Sequence, residues 1–375
     1  MNHRERVLTA IAREEADRVP VDLGGVGGLI VDPAYFAVLD MLGLDRSVEP
    51  YRSGSTANYY DERVLEAFDT DFRHVWLASP DKPKSVSHPD GTVTDMWGIT
   101  WGPEGSYPVD FPLKGKSGQE IMDYKWPELT DWNTDGVRER ARRYFEETDY
   151  AVVAKSVLDG AGIFERCYYM RSIDEFFVDM ADDEDLVMYM INRICEIELK
   201  MWDMYLDAVG PYVQIVQRAT DLGTQTGLLI SPEYYRKYLK PVDDKVYRFI
   251  KSKAPHVKLW FHSCGAIEPL IEDFIDIGVD ILNPIQPLCL GMEPEQIKAR
   301  YGDRLCFHGG IDVQQAMPGS LEDVRTEVKA RIRALAPGGG YIVGAANHIQ
   351  KDTPPENIIG MYRFAKEYGK YPLTI

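Results

Sequence analysis

Cysteine is scarce in this chain, with five residues (Cys167, Cys195, Cys264, Cys289 and Cys306) scattered over 375 positions. An odd, unclustered set in a long chain does not read as a disulfide framework, so a reducing compartment is expected. Basic charge is also short. Lys and Arg number 42 against 60 Asp and Glu, a net charge of −18, which lacks the basic footprint that nonspecific nucleic-acid or anionic-membrane binding needs. No uninterrupted apolar run approaches membrane-spanning length. The opening Met1-Asn-His-Arg-Glu-Arg6 begins an amphipathic helix pattern and lacks the apolar core of a signal peptide. A cytoplasmic protein that meets a basic partner surface or a small ligand fits these absences. Internal repeats, low-complexity tracts and an obvious interdomain linker are missing too, so one domain over residues 1–375 is the simplest organisation. What is present, 45% hydrophobic and 11% aromatic residues, is ample for a large core.

From Tyr150 onward, strand-like and helix-like segments alternate. Apolar runs at 151–156, 212–217, 257–262, 279–283, 304–308 and 341–344 each precede a helical pattern, and 18–25 reads as an earlier strand. At least seven such units favour an α/β fold of the (β/α)8 TIM barrel type over an open doubly wound sheet. Residues 51–132 break the pattern. They are irregular and rich in aromatics (Tyr59, Tyr60, Trp76, Trp97, Trp101, Tyr107, Tyr124, Trp126, Trp132), with a hairpin signal at Pro89-Asp90-Gly91. This reads as an aromatic-rich N-terminal insertion, which either packs as a small subdomain or lines a pocket for a flat or methylated ligand. The loop Gly24-Gly-Val-Gly-Gly28 lacks both the dinucleotide spacing and a Gly-Lys-Ser/Thr ending, so a flexible rim loop is expected rather than a phosphate cradle.

The densest chemistry lies in Val257-Lys-Leu-Trp-Phe-His-Ser-Cys-Gly265. Side chains alternate along a strand, so His262 and Cys264 point the same way, about 7 Å apart at the backbone. Imidazole plus thiolate is a zinc pair; a buried thiol beside a hydrogen-bonded histidine is the competing reading. Barrel chemistry collects in the loops after strands, and the polar residues there are Asp22, Asp159, Glu165, Asp221, Gln225, His262, Cys264, Asn283, Gln286, His308, Asp312, Asn347 and His348. Among them His348, then His308, are candidates for a third metal ligand, and Asp221 or Glu165 for proton transfer. Cys306 is expected to lie deeper, as a structural thiol.

Phe261-His-Ser-Cys-Gly-Ala-Ile267, Asp280-Ile-Leu-Asn-Pro-Ile-Gln286, Phe307-His-Gly-Gly-Ile-Asp312, Gly338-Gly-Gly-Tyr-Ile342 and Asp352-Thr-Pro-Pro-Glu-Asn357 together resemble the uroporphyrinogen decarboxylase superfamily. Ala16-Asp-Arg-Val-Pro-Val21 and Asp221-Leu-Gly-Thr-Gln-Thr-Gly227 extend the likeness over nearly the whole chain. The resemblance implies a (β/α)8 barrel, frequently a homodimer, with its site at the carboxyl ends of the strands. The superfamily contains decarboxylases of tetrapyrroles and zinc methyltransferases that exchange methyl groups with corrinoid proteins. The decarboxylases carry arginines after the first strand, where this chain has Asp22-Leu-Gly-Gly-Val-Gly-Gly28, whereas the methyltransferase His-x-Cys pair is matched by His262 and Cys264. The methyltransferase branch therefore fits better than a decarboxylase or a noncatalytic ligand-binding barrel. The third zinc ligand of that branch, usually cysteine, matches Asn347, so either a one-residue shift puts His348 on zinc or the site binds metal weakly or not at all. On this reading Gln225, Asn283, Gln286, His308 and Asn347 meet the substrate. The corrinoid must arrive on a separate protein, because no Asp-x-His-x-x-Gly motif is present.

Overall fold

A computed structural model of the chain describes residues 1–52, 55–77, 85–103, 107–128, 134–158 and 160–375. Its strands begin with β1 (Phe72–Val75). Four short ones follow, β2 (Val86–Ser87), β3 (Val93–Thr94), β4 (Thr100–Trp101) and β5 (Pro108–Asp110). Then come β6 (Ala151–Ala154), β7 (Ile215–Ala219), β8 (Lys258–His262), β9 (Ile281–Asn283), β10 (Cys306–Ile311) and β11 (Tyr341–Ala345). β1 and β6 to β11 form one parallel sheet in which each strand pairs with the next along the chain. Between β6 and β11 every connection includes a helix, as parallel pairing requires.

The sheet is curled. One buried cluster draws a residue from each of its seven strands (Phe72, Ala151, Ile215, Trp260, Ile281, Cys306, Ile342), with Val7 and Ile11 of the helix His3–Ile11 joining it. The two edge strands can share that cluster only if the sheet bends round on itself. Pro20 to Asp22 lie between those edges. Val343 N–H donates to Pro20 O and Asp22 N–H to Val343 O on one side, and Asp71 N–H donates to Val21 O on the other, each at 2.9 Å. Val21 bridges Val343 in parallel and Arg18 bridges Lys370 antiparallel, so the early strand expected over 18–25 is reduced to isolated rungs, of which only that of Val21 joins the main sheet. Cys306 sits in the interior cluster with its thiol pushed up to about 12 by burial, the inert setting expected of it.

The outer helices follow the sequence pattern. Glu184–Val209 buries Leu186, Val187, Met190, Ile191 and Ile194, a stripe at three- and four-residue spacing. Reciprocal caps start other helices, between Asn2 and Glu5 and between Ser320 and Asp323. No helix among the described residues is long and apolar enough to cross a membrane.

The irregular stretch 51–132 holds more of the main sheet than its sequence suggests, because β1 lies inside it. Phe72-Arg-His-Val75 is buried throughout despite two polar residues. Arg73 pairs with Glu62 at 2.6 Å and stacks 3.5 Å from the Tyr150 ring, while His74 reaches Asp22. β2 to β5, which follow β1 and precede β6 along the chain, make a separate antiparallel sheet. The Pro89-Asp90-Gly91 turn is present, with Gly91 at φ 85° and its N–H on His88 O. Trp97 and Trp126 are buried packing residues, whereas Tyr107 is exposed. Trp132 lies outside the described residues.

Candidate metal and substrate site

β8 is buried from Leu259 to His262 and ends at the mouth of the curled sheet. The loop that follows can cross the loop after β7 only because both carry glycine. A Cβ at Gly265, where φ is +95°, would lie 2.3 Å from the carbonyl carbon of Gly223. This backbone-to-backbone crossing brings Asp221 beside Cys264, whose N–H donates to Asp221 Oδ1 at 2.9 Å. His262 Nε2 lies 3.5 Å from Cys264 Sγ and 3.5 Å from Asp221 Oδ1. One donor atom from each of the three side chains falls within 4.8 Å of the others. A nitrogen, a sulfur and an oxygen so grouped are a ligand set that zinc accepts.

A buried chain of hydrogen bonds runs inward from His262. His262 Nδ1 lies 2.6 Å from Asn283 Oδ1, which can only accept, so the imidazole proton sits on Nδ1 and the Nε2 lone pair faces Asp221 and Cys264. Asn283 Nδ2 donates to His308 Nδ1 at 2.8 Å, and His308 Nε2 donates to Asp22 Oδ2 at 3.1 Å. His74 Nε2 donates to the same oxygen at 3.0 Å. Burial opposes ionisation of Asp22, yet His74 and His308 hold its carboxyl well below the usual range. Burial also depresses His308, against the pull of Asp22. Removing the central amide by Asn283→Leu should weaken zinc binding by about 10- to 100-fold, the usual cost of losing a partner behind a ligand. A chelator competition that returned wild-type affinity would contradict this role.

Other groups hold the cluster in place. Glu165 is buried and caps its own helix through Gly162 N–H at 2.9 Å, while its second oxygen accepts from Asp221 N–H. Burial and the nearby Asp221 raise this carboxyl to about 8, against those two donors. The Cys264 thiol is raised as well, by burial first and then by Asp221. Two amides, Gln286 Nε2 and Asn347 Nδ2, point at its sulfur from 3.6 Å, an arrangement that favours thiolate. Gln286 also accepts from Gly265 N–H at 2.7 Å and so braces the turn.

The uroporphyrinogen decarboxylase (URO-D) family description matches residues 160–368, more than half of the chain. The chain belongs to this family. Among curated relatives, uroporphyrinogen decarboxylase of Trichodesmium erythraeum (strain IMS101) is 26% identical over 138 residues, 37% of this chain and 37% of that protein. The match thus spans well under half of that relative's length. Among solved structures, a methyltransferase from Methanosarcina mazei aligns with a TM-score of 0.65 and 17% identity over 98% of this chain and 99% of that one. At that identity the likeness is one of fold, and it extends over the whole URO-D chain.

Against the residues expected from sequence, the structure draws together Asp221, His262 and Cys264, with Glu165, Gln286, Asn283, His308 and Asn347 packed around them. Asn283 and His308 are buried beneath His262, in the inward chain. His348 is not brought into the three-residue group. Its Nδ1 accepts from Leu29 N–H at 3.2 Å, which leaves its proton on Nε2. Gln225 is exposed on the rim, bonded to Gln314 at 3.2 Å. Asp312 accepts three backbone N–H groups of its own loop, from Gln314, Gln315 and Ala316. Asp159 lies outside the described residues.

The glycine loop is packed rather than loose. A Cβ at Gly24 would lie 2.4 Å from the His74 ring, and one at Gly27 would lie 2.9 Å from His262 Cε1. Glycines are needed there because imidazoles occupy the space. His74 went unseen in the sequence, and the one signal for it was a histidine within a short buried strand facing an equally buried Asp22.

Proposed function

We propose that this URO-D family member is a zinc-dependent methyltransferase that moves a methyl group between a small O-, N- or S-methylated substrate and a corrinoid carried by a separate protein. We read its fold as a (β/α)8 barrel in which residues 19–22 take the place of the first strand, β1 the second, and the small sheet β2 to β5 is an elaboration of the barrel. The observation that carries the proposal is the convergence of Asp221, His262 and Cys264, with the His262 tautomer fixed by Asn283. These residues fit zinc in donor type, in the free Nε2 lone pair and in the two amides aimed at the sulfur. Zinc held there would supply a Lewis acid for the heteroatom that bears the methyl group.

The chain's own residues do the rest. When the heteroatom–methyl bond breaks, the electron pair stays on the heteroatom, and the neutral His348, with its proton on Nε2, has a hydrogen bond to offer a polar group of the substrate. Burial, and next the nearby Arg52 and Lys155, push His348 down to about 3, so it stays neutral at physiological pH. Asp221, with its side chain 44% exposed, is the ligand of the three that solvent and substrate reach most readily. Glu165 keeps Asp221 in position.

A decarboxylase of carboxylated tetrapyrroles is the second reading, favoured by the curated relative. Against it, the loop after residue 22 packs on two histidines and carries no cation. One assay separates the two readings. Zinc-loaded protein is mixed with free reduced cobalamin and a panel of methyl ethers, amines and thioethers, and in parallel with uroporphyrinogen. A corrinoid colour change that requires zinc and is absent in Cys264→Ala is expected. Carbon dioxide release from uroporphyrinogen by zinc-free protein would replace this reading with the second.

A further inference from the structure

Beside the metal cluster, Val26, Tyr51, Arg52, Trp76, Lys155 and Gly160 line a cavity of about 80 Å³. Liquid water takes about 30 Å³ per molecule, so this is room for two or three waters or one carboxylate-sized group. In a protein of net charge −18 two cations meet here, both against one aromatic ring.

Lys155 follows β6 directly, and its N–H on Val75 O at 2.9 Å fixes it at the sheet's end. Its ammonium lies 3.4 Å from the Tyr51 hydroxyl and 4.9 Å from the ring centroid. The Arg52 guanidinium packs 5.2 Å from the same centroid and donates from Nε to Ala57 O at 2.9 Å. Its terminal nitrogens have no acceptor among the described residues. Tyr51 and Trp76 stand 4.6 Å apart, centroid to centroid, as an aromatic wall.

The cavity and the cluster share the glycine loop. Val26 lines the cavity, and the next residue, Gly27, packs on His262. His348 feels both sides, since Arg52, Lys155 and His262 all lower its proton affinity after burial has done so.

We infer that this cavity is a carboxylate subsite, and that the substrate is a flat, aromatic methyl donor with a carboxylate set apart from its methylated heteroatom. The inference deepens the proposed methyl transfer and rests on it for the word donor. Arg52 can grip a carboxylate through two parallel N–H bonds, with Lys155 adding a point charge. Tyr51 and Trp76 offer faces to the ring behind the carboxylate. The acidic exterior disfavours anions elsewhere on the protein, so the pair selects as well as binds.

The test is calorimetric titration of the full chain, without added zinc, using benzoate, its uncharged counterpart benzamide, and inorganic phosphate. Benzoate is expected to bind about tenfold more tightly than benzamide, the effect of one hydrogen bond to a charged group. Arg52→Gln and Lys155→Met should each lower benzoate affinity by about that factor while leaving benzamide affinity and zinc content unchanged. Benzoate that binds no better than benzamide, or that ignores both substitutions, overturns the subsite. Phosphate that binds more tightly than benzoate overturns the choice of carboxylate. Failure of the metal reading is distinct, because it would show in zinc content and leave the benzoate result standing.

Discussion

Purified Cys264→Ala protein is expected to lose its zinc during dialysis against a weak chelator that leaves the wild type loaded. The physical reason is the small number of ligands. Three side chains converge at the mouth, and the thiolate is the one that zinc takes in deprotonated form with the strongest donor sulfur. Partners behind a ligand are worth about 10- to 100-fold in affinity, and a ligand itself is worth more, so a loss beyond about 100-fold follows. The change should be almost silent for folding. Cys264 is half-buried, and its backbone N–H, which binds Asp221, is retained by alanine. Full zinc occupancy in this variant, with the fold intact, would remove the thiol from the site.

Gly265→Ala is expected to do the reverse and to strike the fold first. Its φ of +95° is strained for any residue with a Cβ, which costs about 1–2 kcal/mol. The new methyl would also lie 2.3 Å from the carbonyl carbon and 2.6 Å from the carbonyl oxygen of Gly223, and neither backbone can yield without moving Asp221 and Cys264. Together these effects should lower stability by about 3 kcal/mol or more. Gly338 is the matched control, since its φ is +75° and nothing lies within 4 Å of an added Cβ. Gly338→Ala should therefore show only the conformational part, about 1 kcal/mol. Urea denaturation of both variants would measure the difference, and equal losses would mean that the two loops do not constrain each other.

That crossing also explains what the sequence could and could not show. His262 and Cys264 were legible because strand alternation alone puts two side chains on one side, and β6 to β11 were legible because apolar runs alternate with helical stripes. The third member of the group depends on a contact between two loops that no local pattern records. Asp221 could be marked only as an acid near the mouth, since its place beside Cys264 follows from glycines 42 residues apart at Gly223 and Gly265. His348 attracted attention by its neighbour Asn347, but its ring nitrogen is taken by Leu29 N–H, from a residue 319 positions earlier. β1 was hidden for a related reason. Arg73 and His74 interrupt the apolar run, and each is tolerated in burial only because a distant partner, Glu62 or Asp22, meets it. The same holds for Asn283 and His308. As polar residues at strand ends they looked ready to meet a substrate, yet they form the buried support of His262.

The most direct test is the zinc content of the wild type, Asp221→Ala and His348→Ala, prepared identically and measured by plasma mass spectrometry. The cluster predicts about one zinc per chain in the wild type, the same in His348→Ala, and little or none in Asp221→Ala. Full zinc in Asp221→Ala, or its loss in His348→Ala, would contradict the assignment of Asp221, His262 and Cys264 as the metal-binding group.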